Sequence, residues 1–213
     1  MLKKFMDGFK TKVSSIFNLF KKKKEIKLGI YGSPNAGKTT LANKISMDFL
    51  GEEVGDVSNV PHETREIKMK EHIVIERKGK KLILNLIDTP GIATKIDYEE
   101  FVKFKMKKSD AKKRAKEATK GVIEAIKWLD KMDVVLAVVD STKDPYTQVN
   151  ITILGNLEAR KIPTMIVANK VDSKKSDVDK IRSAFPKYKV VPISAKTGKG
   201  IDKLYAELFE MVS

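Results

Sequence analysis

Eight residues, Gly32-Ser33-Pro34-Asn35-Ala36-Gly37-Lys38-Thr39, satisfy the pattern G-x-x-x-x-G-K-[ST] at every fixed position. The chemistry of that spacing is phosphate binding. Glycines let successive backbone N–H groups turn inward around α- and β-phosphates, the lysine reaches the β/γ-phosphates, and the hydroxyl of Thr39 is placed to coordinate Mg²⁺. Thr40 follows in the first turn of a helix whose positive dipole end faces the anion. A chance match inside a glycine-containing turn would lack the flanking elements. Here residues 26–31 (IKLGIY) read as a strand entering the loop. Residues 39–50 (TTLANKISMDFL) read as a helix leaving it, with Leu41, Ile45 and Phe49 at helical spacing.

A P-loop alone specifies a nucleoside triphosphate and not its base. The apolar run Met165-Ile166-Val167-Ala168 ends in Asn169-Lys170-Val171-Asp172. This resembles the N-K-x-D base-recognition motif of GTPases. Guanine offers N1–H and the exocyclic amine to one carboxylate, here Asp172; adenine lacks that pair of donors, and a site built for donors rejects a base without them. The resemblance implies that Lys170 lays its stem over the base plane and that Asn169 ties this loop to the P-loop. Asp88-Thr89-Pro90-Gly91, after the strand 83–87, resembles D-x-x-G. It implies that Asp88 holds Mg²⁺ through a water and that the Gly91 N–H reads the γ-phosphate. Thr64, in Pro61-His62-Glu63-Thr64-Arg65, resembles the switch threonine that reaches Mg²⁺ with GTP bound. Ser194-Ala195-Lys196 resembles the S-A-K turn whose backbone N–H caps the guanine O6.

Taken in order over residues 26–211, these motifs resemble the Era/EngA/TrmE group of translation-factor-related GTPases. Pro34-Asn35, Thr64-Arg65, Pro90 and Ser194-Ala195-Lys196-Thr197-Gly198-Lys199-Gly200 favour that group over Ras-like proteins. After the last motif there is length for one helix, so neither a KH RNA-binding domain of the Era kind nor a second GTPase domain of the EngA kind is expected within these residues. The resemblance implies a GTP/GDP switch with Mg²⁺, in which Lys38, Thr64 and Gly91 act on the transferring phosphoryl group. Ile92 stands where Ras-like proteins place a water-orienting glutamine, so intrinsic turnover is expected to be slow. Asn35 occupies the position at which potassium-activated relatives carry an asparagine, which makes it a candidate K⁺ ligand; suiting a tight turn is the alternative reading.

The elements that would position these residues follow from periodicity. Strands are expected at 26–31, 67–77, 82–87, 134–139, 164–168 and 189–193. Helices are expected near 39–50, 115–131, 146–160, 176–184 and 201–211. Strands two and three read as a hairpin across Lys78-Gly79-Lys80, and the others alternate with helices. The expected fold is therefore α/β, a P-loop GTPase domain over residues 25–213: a six-stranded, mostly parallel sheet with helices on both faces and the nucleotide at the carboxyl ends of its strands. An ATP-dependent kinase on the same loop is disfavoured by Asn169-Lys170-x-Asp172.

Composition narrows the setting. The chain has 213 residues, no cysteine and two histidines, His62 and His72, which excludes disulfides and histidine–cysteine metal clusters and fits a reducing, cytoplasmic compartment. No apolar run is long enough for a transmembrane helix. The net charge of +15 is concentrated. Residues 1–24 carry lysines 3, 4, 10, 12, 21, 22, 23 and 24 against Asp7; residues 103–120 carry lysines 103, 105, 107, 108, 112, 113, 116 and 120 plus Arg114 against Asp110 and Glu117. Elsewhere the charge nearly balances.

In the N-terminal segment Leu2, Phe5, Met6, Phe9, Val13, Ile16, Phe17 and Phe20 fall on one face of a helix, followed by Lys21-Lys22-Lys23-Lys24. Three readings are open: a helix packed on the GTPase domain, an interfacial helix on an anionic membrane, placing the protein peripherally on the cytoplasmic face, or an RNA contact. The interfacial helix, similar to that of Arf-like GTPases, is the favoured expectation, and a ribosome or RNA assembly GTPase the rival. Neither a cleaved signal nor a myristoylation site fits: Asn18 breaks the apolar run and Leu2, not glycine, follows Met1. Residues 92–131 are expected to form a loop and then a helix, with the lysine-rich stretch between them as a solvated face or a docking surface for acidic lipid or RNA. An effector or activating protein is also implied, without identity.

Overall fold

The computed structural model describes residues 25–54, 67–77, 80–92 and 107–212. Its elements run β1 (Ile26–Gly32), α1 (Lys38–Leu50), β2 (Lys68–Arg77), β3 (Lys80–Asp88), α2 (Lys108–Trp128), a 3₁₀ turn (Leu129–Lys131), β4 (Val134–Asp140), α3 (Gln148–Ala159), β5 (Thr164–Asn169), α4 (Val178–Ala184), β6 (Val190–Pro192) and α5 (Ile201–Val212). They form one six-stranded sheet in the order β2-β3-β1-β4-β5-β6. Only the β2–β3 pair is antiparallel. The expected hairpin is present, although residues 78 and 79 of its turn lie outside the described residues.

The central strands are buried on both faces, which is why β4 (VVLAVVD) reads as an unbroken apolar run rather than an alternating one. Two apolar layers clothe the sheet. On one side Leu41, Ala42 and Ile45 of α1 and Ile201, Leu204, Leu208 and Val212 of α5 cover Leu28, Ile30, Leu84 and Leu136. On the other, Val122 and Ala125 of α2, Ile153, Leu154 and Leu157 of α3 and Ile181 of α4 cover Tyr31, Ile87, Val135 and Ala137. Caps set two helix starts: Thr147 and Asp177 accept hydrogen bonds from the backbone N–H groups of Asn150 and Lys180.

One expectation needs correction. The second large helix was placed at 115–131 after a lysine-rich loop; α2 instead begins at Lys108, so the lysines from 108 onward are helical. The inward face of that first half is made by Ala111 and Ala118, fully buried yet too small to register as an apolar stripe, while lysine and glutamate are good helix formers. Strand β2 lies where the sequence places it and carries an irregularity. Its pairing with β3 shifts between Lys70 and Ile73, where His72 takes a left-handed φ of 59°. The bulge is held by the His72 N–H donating to Asn85 Oδ1 (3.1 Å), and Asn85 Nδ2 donates to Glu25 Oε2 (3.1 Å). The N-terminal segment 1–24 and Thr64 lie outside the described residues.

Candidate functional site

Between β1 and α1 the chain reverses through Asn35 (φ 58°) and Gly37 (φ 94°), and the Ala36 N–H donates to Ser33 O at 3.3 Å. Gly37 caps α1 and, lacking a side chain, offers its first turn no side-chain hydrogen bond. A glycine-rich turn that opens directly into a helix N-terminus is suited to an anion. Glycine is required at 37 twice over: by its backbone angle, and because a Cβ there would lie 2.3 Å from the Asn169 side-chain nitrogen. Lys38 is buried and curls back so that Nζ donates to Ser33 O at 3.0 Å. Burial pushes its ammonium down to about 8, with the Asp88 carboxylate pulling the other way. A phosphate would restore the charge that burial disfavours.

Asp88, at the end of β3, is fully buried. Thr39 Oγ1 donates to its Oδ2 at 2.8 Å, whereas Oδ1 has no hydrogen-bond partner. Burial raises the carboxyl, and Lys38 and Thr39 offset part of that rise. A buried carboxylate oxygen without a partner, beside a threonine hydroxyl, is a hard-oxygen set of the kind Mg²⁺ takes, so the residues present fit that ion. The following turn is stitched to the P-loop: Ile92 N–H donates to Gly32 O at 3.1 Å, and a Cβ on Gly91 would lie 2.9 Å from Pro34 Cα. Ile92 itself is buried in the layer with Tyr31, Val122 and Ala125, so its side chain is a core element.

The base end is built on β5 and the turn after β6. Asn169 is buried and spans three segments: Nδ2 donates to Ala36 O (2.8 Å), Oδ1 accepts from the Ala195 N–H (2.9 Å), and its carbonyl accepts from Ser141 Oγ (2.6 Å). Lys170 adopts a left-handed φ of 71° and its Nζ donates to Asp140 Oδ2 at 2.7 Å. Burial alone would raise the Asp140 carboxyl, but hydrogen bonds from Lys170 and Thr142 hold it below the ordinary range. Asp172 is exposed, and the Ser194 hydroxyl keeps its carboxyl low and ionised. Ser194 is buried, accepts from the Thr197 N–H (3.1 Å), and through the Ser194-to-Lys199 turn sets Ala195 and the exposed Lys196 beside Asp172.

Gly32 through Thr40, Asp88, Gly91, Asn169, Lys170, Asp172 and Ser194–Lys196 therefore meet at the carboxyl ends of β1, β3, β5 and β6. Asp140 and Ser141 complete the base loop and were missed at the sequence level. Their signal was Asp140-Ser141-Thr142 directly after a strand, a polar cluster typical of a strand-end turn.

The model of a family described as 50S ribosome-binding GTPases matches residues 27–170, more than half the chain. The chain belongs to this family. It is similar to the tRNA modification GTPase MnmE of Natranaerobius thermophilus, with 31% identity over 216 residues covering 99% of this chain and 41% of that protein. It is also similar to the GTPase Era of Geotalea daltonii, with 32% identity over 182 residues covering 83% of this chain and 52% of that protein. Among solved structures, a variant of Aquifex aeolicus Era bound to GDP·AlF₄⁻ shares the fold, with a TM-score of 0.68 and 24% identity over 90% of this chain and 58% of that one. The chain thus spans about half, or less, of the length of the curated relatives it matches. It is a GTPase domain of the Era and MnmE type, built on the expected P-loop fold.

Proposed function

We propose that this protein is a GTP-hydrolysing switch that works peripherally on an anionic membrane. The observation that carries the nucleotide half is the Asn169 bridge: one buried amide joins the phosphate loop at Ala36 to the base turn at Ala195. Binding of triphosphate and of base is thereby coupled through a single side chain. Asp172 pairs with the N1–H and amine of guanine, and Lys170, held by Asp140, lays its stem against the ring. Water attacks the γ-phosphorus in line; the bond to the β–γ bridging oxygen breaks, giving GDP and phosphate. Lys38 and the backbone N–H groups of Asn35, Gly37, Lys38 and Thr39 stabilise the charge that develops on the phosphoryl oxygens. Thr39 and Asp88, the latter through a water, would hold Mg²⁺, with Thr64 joining them in the triphosphate state, and the ion would supply further positive charge there. Gly91 and the segment around Thr64 report the presence of the γ-phosphate.

Ile92, packed in the core, leaves no side chain at that position to orient water, so intrinsic turnover is slow. K⁺ held through Asn35 would supply the compensating charge. The membrane half rests on the surplus apolar stripe of residues 2–20 and the four lysines behind it. A second reading, an RNA or ribosome assembly GTPase, is supported by the ribosome-binding description of the family and by the tRNA modification for which one relative is named. Vesicle flotation separates them. Full-length protein should float with phosphatidylserine vesicles and lose that association when residues 1–22 are removed, with nucleotide affinity unchanged. Protein that ignores vesicles in both nucleotide states, and melts sharply lower after the deletion, carries a packed helix instead.

A further inference from the structure

Helix α2 is divided between two faces. Ala111, Ala118, Val122 and Ala125 are buried against the sheet. On the opposite side Lys113, Lys116, Lys120 and Lys127 are exposed, with Lys112 beside them. At 100° per residue these five ammonium-bearing positions fall within about 100° of arc, centred opposite the buried stripe. They extend over about 22 Å along the axis, four of them between residues 112 and 120 and the fifth, Lys127, about two turns further on. Glu124 stands at the edge of this arc, and Ile123, 50% exposed, is the one large apolar side chain within it. The catalytic machinery described above uses none of these residues.

We propose that this face of α2 is a docking ridge for the phosphodiester backbone of RNA. Charge complementarity sets the sign of the partner, and shape decides its class. A narrow row of positive charge confined to one helix face matches a linear polyanion, whose phosphates follow one another along a single line. A bilayer presents a broad plane and rewards an inserted apolar face, yet the apolar face of α2 is spent on the core. The ridge also bears on the switch: Ile92, next to Gly91, shares a buried layer with Val122, Ala125 and Leu129 beneath the ridge. The inference rests on the RNA reading of function and not on the membrane reading of residues 1–24.

The test uses full-length protein with a 20-nucleotide single-stranded RNA, a 20-base-pair RNA duplex, and vesicles of 30% phosphatidylserine in phosphatidylcholine. The quadruple substitution Lys113→Gln, Lys116→Gln, Lys120→Gln, Lys127→Gln keeps helix propensity and should leave melting temperature and GTP hydrolysis unchanged. RNA affinity should fall by about 30-fold or more at 0.1 M salt, and the slope of log K against log salt should flatten by about 3. The matching lysine-to-arginine set should retain binding. An equal charge loss elsewhere, at the exposed Lys174, Lys175, Lys187 and Lys203, should change the slope by less than half as much. If the two glutamine sets weaken RNA binding equally, or neither does, the ridge is not the site although RNA binding stands. If the ridge set loses vesicles rather than RNA, the partner is a membrane. If the unaltered protein binds neither RNA, the ridge and the RNA reading fall together.

Discussion

Asn169→Ala tests the bridge on which the site is built. The side chain is buried, and its removal leaves the Ala36 carbonyl and the Ala195 N–H without their partners at 2.8 and 2.9 Å. Each such orphan costs about 1–3 kcal/mol, so the domain should lose about 2–5 kcal/mol of stability. With a urea m-value near 2 kcal/mol/M, the unfolding midpoint should fall by about 1–2.5 M. Asn169→Asp is sharper still. It keeps the acceptor for Ala195 but sets a carboxylate oxygen against the Ala36 carbonyl oxygen where an N–H now donates. It should therefore be worse than alanine at neutral pH and recover as acid protonates the new carboxyl and returns a donor. Urea unfolding of the nucleotide-free variants, followed by GDP titration, reads both effects. A midpoint shift equivalent to less than about 0.5 kcal/mol, the range of an ordinary surface substitution, would show that the bridge does not hold the two loops together.

Asp172→Asn should weaken GTP binding by about 10²–10³-fold while improving xanthosine triphosphate, whose base carries a carbonyl where guanine has an amine, and competition binding with the two nucleotides measures it. Lys38, lowered to about 8 in the nucleotide-free fold, should take up close to one proton when GTP binds at pH 9; calorimetry in two buffers of different ionisation enthalpy reads this, and no uptake would refute the burial argument. For the same reason the nucleotide-free domain should gain stability as pH rises from about 8 toward the ordinary lysine value of 10.5, because over that window the unfolded chain holds the extra proton. Hydrolysis should be faster in KCl than in NaCl at equal ionic strength, and Asn35→Gly should abolish the difference without straining the turn, whose φ of 58° would penalise alanine.

Where chemistry demanded fixed residue types, the sequence was legible. Gly37-Lys38-Thr39, Asp88, Gly91 and Asn169-Lys170-Val171-Asp172 could be placed because phosphate, metal and base each dictate a spacing, and the strands before them are long apolar runs. The architecture followed from β-strands alternating with helical patterns, with one hairpin at its edge. What escaped lacked such a signature. Helix α2 starts seven residues earlier than expected because alanines at 111 and 118 bury a face without advertising it. Asp140 supports Lys170 from a different strand, a partnership created by the β4–β5 pairing and invisible in a one-dimensional reading. The β2 bulge at His72 is likewise set by tertiary hydrogen bonds to Asn85 and not by turn residues. Thr64 and the N-terminal helix remain expectations from the sequence.

A site that couples a triphosphate to guanine must discriminate between bases. Equilibrium competition of unlabelled GTP and ATP against a fluorescent GDP on the full-length protein with Mg²⁺ gives the ratio of affinities. GTP should be preferred by about 10³-fold or more, as expected of a carboxylate that pairs with two donors the rival base lacks. GTP and ATP binding within a factor of a few would contradict it.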